Sequence, residues 1–185
     1  VEKKVVLLSR VHKEKEFYET AVIELGSAAE GLQNTILELD NRENKKKTDK
    51  ADLPSGFGNL KGKLSMPIKG KILKVNRQSG ENIFNTLKGI YISGPFGADV
   101  KSIFPGRVDF SGQLKGYGQV IVINHGERFF TISAYLSKRD KNEGEMVEQD
   151  EIVGEVGETG LLEGPALYFE MRKGGTILDP LKWLK

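Results

Sequence analysis

The chain has no cysteine and only two histidines among its 185 residues. Without thiols it can form neither a disulfide nor a thiolate metal site, although the compartment stays open because exported proteins need not use disulfides. Charge of one sign is also missing. Lys and Arg total 28 against 26 for Asp and Glu, a formal net charge of +2. No basic run is interleaved with aromatics, so no nucleic-acid partner is expected. No apolar run approaches the length of a membrane span, and no signal peptide stands at the start. The sequence opens at Val1 inside a helical pattern without an initiator methionine, and so reads as a fragment of something longer. Rossmann, P-loop and nucleophile-elbow patterns are absent. What is present, 38% hydrophobic and 29% charged residues, suits a chain with a real core rather than a disordered one.

Two unlike parts follow one another. From Tyr18 the apolar or small positions run Val22, Leu25, Ala29, Leu32, Ile36 and Leu39, in alternating steps of four and three. That is a heptad seam of about three repeats. It reads as a coiled-coil arm over residues 1–40, which should pair with another helix, or as an amphipathic helix packed on its own domain. Gly26 and Gly31 each cost such a helix about 1 kcal/mol against alanine, so it needs support from a partner surface. The helix is expected to end near Asp40, because "NRENKKKTDKADLPSG" is polar, charged and closed by proline and glycine. Residues 41–56 read as a linker.

From Phe57 to Lys185 the pattern becomes short runs rich in Val, Ile, Phe and Tyr with glycine at nearly every junction, as a mainly β, antiparallel domain requires. "QVIVIN", "FFTISAYL" and "ALYFEMR" are three of these runs. In "GPALYFEMR" the residues Leu167, Phe169 and Met171 alternate with Ala166, Tyr168 and Glu170, the period of a strand with one face in a core. Trp183 and Leu184 are placed to plug one end of the sheet.

Five segments in order give this second part a family resemblance. "SMPIKGKI" resembles an entry strand, and "LKGIYISGPFGADVKSIFPGRVDFSG" resembles H-x-G-I-D-I-x-x-P-x-G-T-P-V with its following strand. "GYGQVIVINHGERFFTISAYLSK" resembles G-Y-G-x-x-V-x-I-x-H-G through Y-A-H-L-S. "EGEMVEQDEIVGEVGETG" and "GPALYFEMR" complete the series, the last in place of G-P-H-L-H-F-E-I-R. Together they resemble the LytM domain of the M23 (lysostaphin-type) peptidases.

The resemblance implies a zinc held by two histidines and an aspartate, with two further histidines assisting the attacking water. Carried over position by position, those five places hold Leu87, Tyr91, Tyr135, Ala166 and Tyr168. Leu and Ala offer no lone pair, and a tyrosine with a pKa near 10 is a poor zinc ligand. His12 lies among lysines and glutamates as a surface residue, and His125 matches a structural hairpin position. Asp99, Asp109 and Asp140 lack ligand spacing. The domain therefore reads as a pseudoenzyme with no metal and no cofactor. Leu87, Tyr91, Tyr135, Ala166 and Tyr168, with Arg172 on the same strand face, are expected to line an open, exposed groove whose Tyr and Arg content suits protein binding.

A helical arm ahead of such a domain is similar to the EnvC-type murein hydrolase activators. That resemblance implies a periplasmic, non-catalytic activator of N-acetylmuramoyl-L-alanine amidases in septal cell-wall splitting. It also implies an arm that restrains the groove and links to an FtsEX-type division complex. A structural scaffold or peptidoglycan-binding module of the envelope is the alternative, and a zinc endopeptidase a more distant one.

Overall fold

The computed structural model describes residues 2–45, 53–73, 89–158 and 164–185, and in the helix the side chains of 15, 16, 19, 20, 23–43 and 45. Leu87 therefore lies outside the described residues. One long helix, α1 (Glu2–Lys45), precedes ten described strands. These are β1 (Lys71–Leu73), β2 (Ile90–Ser93), β3 (Asp99–Lys101), β4 (Gly106–Leu114), β5 (Gly118–Asn124), β6 (Phe129–Arg139), β7 (Met146–Val147), β8 (Ile152–Val156), β9 (Ala166–Lys173) and β10 (Thr176–Leu178). The main sheet runs β1-β2-β9-β6-β5-β4-β7, with β10 beside β9 and β8 joining β6 to β3, and every strand pairing is antiparallel. The mainly β class with a preceding helix is thus what the sequence led us to expect.

The helix continues to Lys45, five residues past the expected stop at Asp40. Its last turn carries Arg42 and Lys45, which suit a helix C-terminus. Asp40 and Glu43 find arginine partners on the β domain, so this polar stretch stays ordered. Of the expected linker, 41–45 is helical and 46–52 lies outside the described residues.

Two apolar layers sandwich the sheet. On one side Ile92, Ile121, Ile123, Leu167, Phe169 and Met171 pack with the loops and Trp183. On the other, Tyr91, Val120, Val122, Ile132 and Tyr168 pack against Leu25, Ala28, Leu32, Ile36 and Leu39 of α1. Consecutive residues of β5 enter opposite layers, which is why "QVIVIN" is apolar without interruption. Of the two readings of the heptad seam, residues 25–39 follow the second. They pack on the chain's own domain. Ala28, rather than Ala29, is the deeply buried small residue.

Trp183 closes one end of the sheet, its ring against Phe57 and Phe129, and Leu184 is buried beside it. His125 lies in the same aromatic group, stacked on Phe57 at 5.0 Å between centroids. Its Nδ1–H donates to the Pro105 carbonyl at 2.8 Å and its Nε2 accepts from the Thr131 hydroxyl at 2.8 Å. Both nitrogens are satisfied in the neutral form, and burial pushes its pKa from 6.5 down to about 4. This is the structural role the sequence assigned to it.

A depressed folded pKa means that the unfolded chain takes up the proton first as pH falls. The stabilisation is complete above the unfolded value near 6.5 and is lost as pH falls through about 4. Denaturant titrations between about pH 7 and about pH 4 should show His125 contributing a loss of about 3 kcal/mol. A His125→Asn chain, less stable throughout, should lose correspondingly less over that range. Equal losses in the two chains would contradict the assignment.

Candidate functional site

The described groove positions come together on neighbouring strands, as the sequence required, but they are not exposed. Tyr91 of β2 stands directly opposite Tyr168 of β9, with Ser93 opposite Ala166 one turn of the pleat away. Ala134 of β6 flanks Tyr168 on its other side, and Tyr135 follows. The rings of Tyr91 and Tyr168 lie 5.2 Å apart, and those of Tyr135 and Tyr168 6.4 Å apart, edge to face. Tyr117, which the sequence reading missed, completes a four-tyrosine floor 5.3 Å from Tyr168. Tyr168 and Ala166 are 0% exposed, Tyr91 3% and Tyr135 6%. The expectation of an open aromatic surface is corrected on these four positions. The arm's apolar stripe lies on the tyrosines and takes them out of water.

Tyr135 reaches this floor through a distortion. Its φ is +58°, a left-handed conformation unusual for a bulky residue, at a place where β6 shifts register against β5 and β8. Three hydrogen bonds hold it there. Its N–H donates to the Tyr117 carbonyl at 2.9 Å, its carbonyl accepts from Gly157 at 2.9 Å, and its hydroxyl donates to the Gly116 carbonyl at 2.7 Å. Gly116 itself (φ +80°) must lack a side chain, because a Cβ would stand 2.4 Å from the Cβ of Ala28. The β4–β5 hairpin and the arm thus approach as closely as backbone allows.

Arg172 returns to the Tyr168 face, as its even spacing requires, but it too is buried, at 2% exposure. Its Nε donates to Glu170, whose other oxygen accepts from the Tyr168 hydroxyl at 2.5 Å. Its Nη1 donates to the side-chain oxygen of Gln33 on the arm. The expected exposed guanidinium is therefore already neutralised by Glu170 and capped by the arm.

Two more clasps lie towards the C-terminal end of α1, among residues the sequence reading did not single out. Arg128 gives two parallel hydrogen bonds to Asp40, at 2.9 and 2.6 Å. Glu43 accepts from Arg107 and from Asn124, each at 3.2 Å. Acidic residues near a helix C-terminus oppose the helix dipole, and that was the available signal for an external partner.

The donor set does not fit zinc. Ala166 offers nothing, and burial, first among the causes, pushes the hydroxyls of Tyr91, Tyr117, Tyr135 and Tyr168 above their ordinary value. Neutral phenols cannot replace imidazoles and a carboxylate around the ion. Among the described residues no cluster of His, Asp and Glu could hold a metal.

These positions match a known family. Residues 85–180 match the model of peptidase family M23, more than half of the chain. The chain is a member of that family. It is 33% identical over 131 residues to the murein hydrolase activator EnvC of Escherichia coli, covering 70% of this chain and 30% of that protein. To the cell division protein DipM of Caulobacter vibrioides it is 32% identical over 123 residues, covering 66% and 20%. The chain therefore spans less than a third of each of these relatives. Among solved structures, a mutant of the catalytic domain of the prophage-encoded M23 protein EnpA from Enterococcus faecalis superposes with a TM-score of 0.53 at 26% identity. That match covers 66% of this chain and 96% of the other.

The Tyr91 hydroxyl is buried and has no partner at close hydrogen-bond distance among the described residues, while the neighbouring Tyr135 hydroxyl gives its proton to Gly116 and keeps an oxygen that can accept from Tyr91.

Proposed function

We propose that this chain is a non-catalytic activator of periplasmic N-acetylmuramoyl-L-alanine amidases in cell division, and that its own arm holds it closed. The observation that carries the reading is the seating of Leu25, Ala28, Leu32, Ile36 and Leu39 on Tyr91, Tyr117, Tyr135 and Tyr168, three of which the family resemblance matches to site residues. The relatives named as a murein hydrolase activator and a cell division protein support the pathway. The replaced donors support a binding role over peptide hydrolysis.

The mechanism is a population shift. Docked, the arm covers Tyr91, Tyr135, Tyr168 and Arg172. Displaced, it exposes an apolar, tyrosine-rich groove flanked by arginines, on which an amphipathic helix of the amidase can lie. Ahead of Leu25 the described side chains of the arm, such as Lys15, Glu19 and Ile23, are exposed, so a division complex of the FtsEX type holding that end could bias the equilibrium. Peptidoglycan is not required to bind the groove in this scheme. Arm and partner compete for one surface, and each fully buried Leu or Ile of the arm contributes about 2 kcal/mol to the closed state.

The test is dye release from labelled sacculi by a purified amidase. A Leu32→Glu/Ile36→Glu chain, whose arm cannot bury its stripe, should reach half-maximal activation at a concentration at least roughly tenfold below that of the unmodified chain. Neither chain should release dye alone, with or without added zinc. Hydrolysis by the chain alone that a chelator abolishes would overturn the non-catalytic reading. An arm-opened chain that folds and still fails to activate would overturn the activator reading.

A further inference from the structure

The clasps at the arm's C-terminal end carry information about what replaces the arm. Arg128 sits in the β5–β6 turn with φ +66°, after Gly126 at +78° and Glu127 at +51°. Turn positions of this kind favour glycine or asparagine. An arginine held there in a disfavoured conformation points to its side chain, which grips both oxygens of Asp40. The opposite turn is cut to fit. Gly174 (φ +56°) donates its N–H to the Arg128 carbonyl at 2.7 Å. A Cβ on Gly174 would stand 2.5 Å from the Arg128 guanidinium and 3.2 Å from the Asp40 carboxylate. Two turns, from different hairpins, are thus shaped around one carboxylate.

The second clasp is organised by the β domain itself. Asp109 accepts from Arg107 at 2.6 Å and from Asn124 at 2.7 Å, and both donors also reach Glu43. With the arm gone, Asp109 still holds Arg107 and Asn124 in place. Arg172 differs from both, because Glu170 already satisfies its charge and it takes the neutral amide oxygen of Gln33.

On the reading that a partner helix takes the arm's place, we propose that the groove recognises that helix by an acidic pair spaced i, i+3, close behind its apolar stripe. Arg128 reads the first acid and Arg107 with Asn124 the second. Asp40 and Glu43 are the arm's resident copy of the pair. The partner is therefore an amphipathic helix with apolar residues at the spacing of Leu25, Ala28, Leu32, Ile36 and Leu39, an amide at the place of Gln33, and acids seven and ten residues beyond it. Acids so near a helix C-terminus oppose its dipole, so in both arm and partner they serve the groove rather than the helix.

The full chain carrying Leu32→Glu/Ile36→Glu, its groove vacated, is titrated against a fluorescein-labelled peptide with the sequence of residues 19–45. The unmodified peptide should bind. A peptide carrying Asp40→Lys and Glu43→Lys should bind at least roughly tenfold more weakly, and Arg128→Glu in the protein should recover part of that loss for an Asp40→Lys peptide. Binding of the doubly reversed peptide within about twofold of the unmodified one, or no binding of either, overturns the proposal. Arg128→Glu is also added to the arm-opened chain in the amidase assay. If activation is unchanged, the acidic-pair proposal falls and the groove reading stands. If the arm-opened parent itself never activates, it is the groove reading that falls.

Discussion

The interaction on which the rest of this structure depends is the seating of one apolar helical stripe on a floor of four tyrosines. Three of them, Tyr91, Tyr135 and Tyr168, stand at positions that the sequence matches to site residues of M23 enzymes, on strands whose other face already belongs to the main core. β5 and β6 therefore carry apolar side chains on both faces and need a cover on each. The arm supplies the second cover. Its burial of the floor removes Glu170 and Arg172 from water as a pair. It also brings the arm's acids to Arg128 and Arg107.

Polar groups on such a floor make the cover specific. Desolvating Glu170 and Arg172 is tolerable because they satisfy one another, Tyr168 and Gln33. Exchanging the arm for another helix with matching acceptors conserves those bonds, whereas removing it without replacement leaves the tyrosine face in water. The same asymmetry separates losing one hydrogen-bond partner from exchanging it. The proposed closed state, opened by a competitor of similar shape, rests on this arrangement. Gly26 and Gly31, which face open space on the helix, weaken that closed state without serving its packing.

Much of the β domain was legible in the sequence, because glycine punctuation and the alternation in "GPALYFEMR" report strand periodicity directly. The convergence of Tyr91, Tyr135, Ala166 and Tyr168 was legible through the order of the family motifs, while Leu87 falls outside the described residues. The burial of that site was not read, although signals existed. "QVIVIN" is apolar at successive positions, which a strand with one wet face does not need. Asp40 and Glu43 oppose their helix's dipole, and the turn "HGER" holds an arginine where glycine or asparagine is favoured. Each feature is explained by long-range contact between the helix and strands or turns far along the chain, as between Asp40 and Arg128 or Glu43 and Asn124. Local pattern reading treats such residues as a solvated linker and an ordinary turn.

Hydrogen exchange of the full chain, alone and with a saturating amidase, tests the central claim most directly. The account predicts that amides of residues 25–43 are protected in the free chain and lose protection when the amidase binds, while β5, β6 and β9 stay protected throughout. An arm that remains equally protected in the complex would contradict it, because the partner would then be bound elsewhere.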